Sequence, residues 1–156
     1  MDKYDLIKTT STYQRVVNDY EKDTLAHCNL LLSADKLSRQ LFAVAFATLL
    51  LCGDKDEVVY ENISKRVHPD VFFLPKSETL KVEDVEFVLE RLNYYPMEAD
   101  YKVFVLENFS DATPQAQNKL LKTLEETPAN VFFLLTSEKS DGILPTIMSR
   151  CRKLEL

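Results

Sequence analysis

The stretch "KVFVLENFSDATPQAQNKLLKTLEETPANVFFLL", Lys102 to Leu135, decides the fold class. Within it, "KVFVL" (102–106) and "NVFFLL" (130–135) are short apolar runs rich in β-branched and aromatic residues, the composition of strands. Neither run alternates apolar with polar, so both faces of each strand must be covered, as in a parallel sheet. Between them Ala116, Leu120, Leu121 and Leu124 recur at helical spacing. Thr113 precedes that stripe as an N-cap, Pro114 suits the first helical position, and Pro128 forbids continuation. A strand, a helix and a second strand in this order make a right-handed crossover between parallel strands.

The same signals recur on both sides. "NLLL" (29–32) and "DVFFL" (70–74) read as further buried strands, and "KLEL" (153–156) as a weaker fifth. Residues 37–52, "LSRQLFAVAFATLLLC", are apolar nearly all round and predict a helix packed deep inside. In "KVEDVEFVLERLNYY", Val82, Val85, Val88, Leu89 and Leu92 form a stripe with acids on the opposite face. "CGDKDEVVYENISKRVHP" reads as a surface connection. Alternating strands and helices give an α/β domain with a mainly parallel sheet.

A chain of 156 residues fits one such domain. Its 46% apolar content argues against disorder, and no apolar run reaches the roughly 18 residues of a membrane helix. The N-terminus lacks the basic start and apolar stretch of a secretory signal, so a cytoplasmic location is expected. Cys28, Cys52 and Cys151 are odd in number and far apart, which fits reduced thiols. The net charge of −6 gives no global attraction to phosphate backbones. Contact with nucleic acid therefore needs a local patch or partner subunits, and no membrane partner is expected.

The turn from the first strand into the next helix is where this kind of fold would hold a phosphate. Here that turn is "LLLSADKLSRQLFAVAF". A working phosphate loop needs glycines, a lysine and a hydroxyl for magnesium. The sequence offers Ser33, Lys36 and Ser38 at the glycine positions, Arg39 at the lysine and Gln40 at the hydroxyl. The acid pair that would end a neighbouring strand is reduced to Glu107 and Asn108, and Asn108 cannot act as a base. No cofactor and no metal site is expected. His27 and His68 stand isolated and read as structural or surface residues. Glu125 and Glu126 read as a solvated helix end.

Several motifs in one order carry a resemblance. They are Glu107 at a strand end, then Asn118, Leu120, Leu121, Lys122, Leu124, Glu125, Glu126 and Pro128. The polar pair Thr136 and Ser137 follows on the next strand, and Ser149, Arg150 and Cys151 come last. This series resembles the ATPase-type subunits of bacterial clamp loaders, most of all their delta-prime branch, in which the phosphate loop decays while Ser-Arg-Cys persists. The resemblance implies an AAA+ (P-loop NTPase-like) three-layer sandwich with a five-stranded sheet in the order 5-1-4-3-2.

It further implies a non-catalytic subunit that helps load the sliding clamp onto primed DNA within the DNA polymerase III holoenzyme, a DNA-directed DNA polymerase. In that role Arg150 would be an arginine finger given in trans to a neighbouring ATPase subunit, with Ser149 and Cys151 shaping the turn. Thr136 and Ser137 would be sensor-like residues. The implied partners are gamma/tau-type ATPase subunits, the delta subunit, the sliding clamp and, within the assembly, primer-template DNA. Family members continue with a helical lid and an oligomerising collar, so residues 1–156 are expected to be the first domain alone. The four-cysteine zinc module of many relatives is missing, and Thr127 replaces a usual proline. Two other readings stay open: an active AAA+ ATPase with an atypical site, and a stand-alone interaction domain.

Overall fold

A computed structural model describes all residues, Met1–Leu156. Five strands, β1 (Cys28–Leu32), β2 (Val71–Leu74), β3 (Lys102–Leu106), β4 (Val131–Ser137) and β5 (Arg152–Glu155), form one sheet in the order β2-β3-β4-β1-β5. Every neighbouring pair is parallel. Read from the other edge this is 5-1-4-3-2, the order that the resemblance implies.

Seven helices accompany the strands: α1 (Lys3–Thr9), α2 (Ser11–Glu21), α3 (Lys36–Cys52), α4 (Glu57–Ser64), α5 (Val82–Arg91), α6 (Pro114–Glu125) and α7 (Pro145–Met148). Successive strand residues point to opposite faces, so each strand feeds two cores. Val103, Val105, Leu134, Leu31 and Leu154 pack with Phe42, Phe46 and Ile63 on the side of α1 to α4. Phe104, Leu106, Phe133, Leu135 and Leu30 pack with Val88, Leu120 and Ile147 on the side of α5 to α7. Two buried faces explain why the strand sequences show no alternation.

The helix ends follow their local chemistry. Thr113 caps α6, its hydroxyl accepting from the Ala116 N–H at 3.1 Å. Asp35 caps α3 by accepting from the Ser38 N–H at 3.0 Å, and Gly53, at φ 63°, ends it. The Lys3 ammonium, 2.6 Å away, and then the Ser38 hydroxyl and amide hold the Asp35 carboxyl down at about 2. Because that value lies below the ordinary 3.8, the stability contributed by Asp35 is complete above about pH 4 and is lost as pH falls towards 2. Asp35→Asn, which keeps an N-cap acceptor, should flatten the fall in Tm between pH 4 and pH 2, as read by circular dichroism. An unchanged slope would contradict this assignment.

Two expectations need correction. The segment read as a surface connection contains α4, which Asp56 caps by accepting from the N–H groups of Val58 and Val59, and which Ile63 anchors in the core. One buried residue in a polar run gives too little periodicity to reveal so short a helix. The cysteines are also not all far apart: Cys28 and Cys151 meet side chain to side chain, leaving Cys52 alone. The reason is the sheet order. Asn29 of β1 lies opposite Arg152 of β5, so the residues just before them stand side by side, Cα to Cα 4.9 Å. No helix is long and apolar enough to cross a membrane.

Candidate functional site

Parallel strands bring their C-terminal ends to one edge, and the residues expected at a nucleotide site gather there. Lys36, Arg39 and Gln40 from the start of α3, Glu107 and Asn108 after β3, and Thr136 on β4 line a cleft of about 200 Å³ together with Arg66, Pro75 and Ser77. Its lining contains no hydrophobic residue.

The side chains in this cleft are occupied with each other. Arg39 is buried, and its Nη1 donates to the Ser33 carbonyl at 2.7 Å, filling the turn that glycines would leave open. Glu107 receives two parallel bonds from Arg66, Nη1 to Oε1 at 2.7 Å and Nη2 to Oε2 at 3.0 Å. Such a fork is the strong form of a guanidinium–carboxylate contact. The Arg66 guanidinium also lies over the Phe73 ring, 4.3 Å from its centroid. Asn108 sits at φ 53°, a left-handed conformation that asparagine tolerates. Ser38 Oγ donates to Asp35, and Ser137 Oγ donates to the Lys139 carbonyl, so both hydroxyls serve their own backbone turns.

This donor set does not fit a magnesium–nucleotide complex. The one carboxylate is neutralised by Arg66, the hydroxyl position holds Gln40, and a cation would meet Lys36, Arg39 and Arg66. The sequence reading missed Arg66. It lies in a polar run 41 residues from Glu107, and no spacing rule links the two.

The Ser-Arg-Cys motif lies elsewhere, directly after α7. Four anchors fix its backbone. Buried Gln117 of α6 accepts from the Leu144 N–H at 2.8 Å and donates to the Gly142 carbonyl at 2.8 Å. Gly142, at φ 89°, passes so close to Ser110 that a Cβ would sit 2.5 Å from its carbonyl oxygen. Ile147 is fully buried, and Cys151 packs against Cys28. Arg150 itself is exposed. Its Nη2 pairs with Glu125 Oε1 at 2.5 Å, and its Nη1 donates to the Thr146 carbonyl and to Ser149 Oγ, both at 3.2 Å. Glu125, expected to be merely solvated, is therefore the partner of Arg150.

The histidines are structural, as the sequence suggests. His27 stacks on Phe132 at 4.4 Å and its Nδ1 is 2.8 Å from the Val131 carbonyl. Buried His68 accepts from the Asp70 N–H through Nδ1 at 3.1 Å.

Comparison with known proteins matches this geometry. The delta' subunit of DNA polymerase III from Escherichia coli K12 is 39% identical over 88 residues, covering 54% of this chain and 26% of that protein. A gamma subunit-related protein of DNA polymerase III from Thermotoga maritima superposes with TM-score 0.70 at 20% identity, covering 99% of this chain and 46% of the other. The Bacillus subtilis DNA clamp loader delta protein does so with TM-score 0.61 at 12% identity, covering 92% and 42%. These two share the fold, which is of the AAA+ type. The chain spans between 14% and 27% of the length of the curated relatives it matches. The profile of the family described as "DNA polymerase III, delta subunit" matches residues 8–156, nearly the whole sequence, and the chain belongs to that clamp-loader family.

Proposed function

We propose that this chain is a non-catalytic clamp-loader subunit of the delta-prime kind. It works inside the DNA polymerase III assembly, in the cytoplasm, where the loader places a sliding clamp on primed DNA. Its partners are gamma/tau-type ATPase subunits and a delta subunit, with clamp and primer-template DNA met in the assembly. Arg150 is its contribution to chemistry: a guanidinium offered across a subunit interface to the γ-phosphate held by a neighbouring ATPase, supported by Ser149 and Cys151.

The observation that carries this reading is the contrast between the two sites. In the cleft Arg66 and Arg39 take up Glu107 and the Ser33 carbonyl, whereas Arg150 is exposed on a backbone held at four points. A planar, permanently charged group on a rigid support suits the stabilisation of charge on a transferred phosphoryl. The Arg150–Glu125 pair is partly exposed, and pairs of this kind hold by about 0–1 kcal/mol, little enough to be given up to a phosphate.

Two measurements test the two halves. A thermal melt of this chain in millimolar Mg-ATP should show no rise in Tm. Nucleotide bound at 100 times its Kd would add about 2.7 kcal/mol, so a clear upward shift would restore the active-ATPase reading. The finger itself is tested by Arg150→Ala in the reconstituted loader.

A further inference from the structure

The opposite end of the sheet, where β1, β3 and β4 begin, carries a second cavity of about 470 Å³. Tyr20, Asp23, His27, Tyr101, Asn130 and Phe132 are among its lining residues. The rings form a continuous surface: Phe132 stacks on His27 and meets Tyr101 edge-on, with centroids 5.3 Å apart. No lysine or arginine lines it. Burial, and after it the neighbouring Tyr101, raises the Tyr20 phenol above its ordinary value. Asp23 has no ion pair, although the chain forms eight elsewhere. Aromatic faces beside an unpaired carboxylate attract an organic cation and repel a phosphate.

The neighbouring surface tells what kind of molecule would bring that cation. Asn130 also lines a smaller cleft with Leu92, Tyr94, Tyr95 and Pro128. Tyr94, Tyr95 and Met97 are 66%, 87% and 80% exposed, on the loop between α5 and β3. The loop is held from below. Asp70 accepts from the N–H groups of Met97, Glu98 and Ala99, and the Lys102 ammonium donates to the carbonyls of Arg91 and Tyr94. Large apolar side chains shown to water on a fixed loop mark a protein contact, because little further ordering is needed on binding.

We propose that this end of the domain receives a peptide segment of a partner protein. The segment inserts an arginine between Tyr20, Tyr101 and Phe132, within reach of Asp23, and lays its apolar neighbours on Tyr94, Tyr95 and Met97. Arginine fits better than lysine because its flat guanidinium stacks on rings while its N–H groups stay directed at carboxylates. The proposal goes beyond the clamp-loader reading and does not depend on it.

The test is an NMR titration of the ¹⁵N-labelled chain with acetyl-Phe-Arg-Leu amide, with its citrulline twin and with argininamide. Saturable shifts at the amides of Asp23, Tyr101 and Asn130 are expected with the arginine peptide, and binding about tenfold weaker with the neutral twin. Asp23→Asn should weaken the peptide by a similar factor. Asparagine tolerates the φ of 58° at that position, so the rest of the spectrum should stay unchanged. Equal binding of the two peptides, no effect of Asp23→Asn, or no saturable shift would overturn the proposal. Argininamide binding as tightly as the peptide would also overturn it, since the cavity would then be a site for small cations.

Discussion

Replacing Arg150 with alanine is expected to cut ATP turnover at the site it serves in a reconstituted loader by about 10³–10⁵, the range known for arginine fingers. The assay needs clamp and primed DNA present, because the loss concerns the assembly and not this chain. Folding of the variant should be intact. The backbone around residue 150 is fixed by Gln117, Gly142, Ile147 and Cys151, and the side chain contributes one exposed ion pair and two bonds to its own turn. Arg150→Lys should remain defective, since an ammonium cannot present the flat fork of a guanidinium. Glu125→Gln separates the finger from the surface-pair reading: it removes the resident partner, so turnover should hold or rise. Unchanged turnover in Arg150→Ala would reduce Arg150 to a surface arginine paired with Glu125.

Much of this fold is legible because its signals are local. The run 102–106 becomes β3 without a residue gained or lost, and α3 and α6 begin within a residue of their predicted starts because Asp35 and Thr113 are caps. Sheet order came from the motif series, not from periodicity. What escaped the sequence is what depends on residues meeting across the fold. Cys28 and Cys151 are 123 residues apart and meet only because β5 lies beside β1. The Arg66–Glu107 fork also joins residues distant in sequence: the Arg66 guanidinium lies over Phe73, towards the end of β2, and Glu107 just follows the adjacent β3. The turn into α3 was thus readable as lacking glycines, but not the contacts by which Arg39 and Arg66 fill the cleft. Helices α1 and α2, too, had no strand nearby in sequence to frame them.

Asp70→Ala should be the most damaging single change for stability, costing about 3–5 kcal/mol in a urea melt, as expected when one member of a buried charged network is removed. Asp70 is fully buried. Its Oδ1 accepts from the Met97 N–H at 2.5 Å, and its Oδ2 from the Glu98 and Ala99 N–H groups at 2.8 Å each. Removing it leaves three backbone donors to find partners in a loop without regular structure, and each unsatisfied donor costs about 1–3 kcal/mol. Lys102 suffers as well. Burial already pushes its ammonium below the ordinary lysine value, and Asp70 is the charge that opposes this. Asp70→Asn keeps the shape but offers one acceptor oxygen and no charge, so it should fall between wild type and alanine. Hydrogen exchange locates the effect: the amides of Met97, Glu98 and Ala99 should lose protection in Asp70→Ala before the core strands do. A loss under 1 kcal/mol, with those amides still protected, would mean that the loop is held by its tyrosines and not by the carboxylate beneath it.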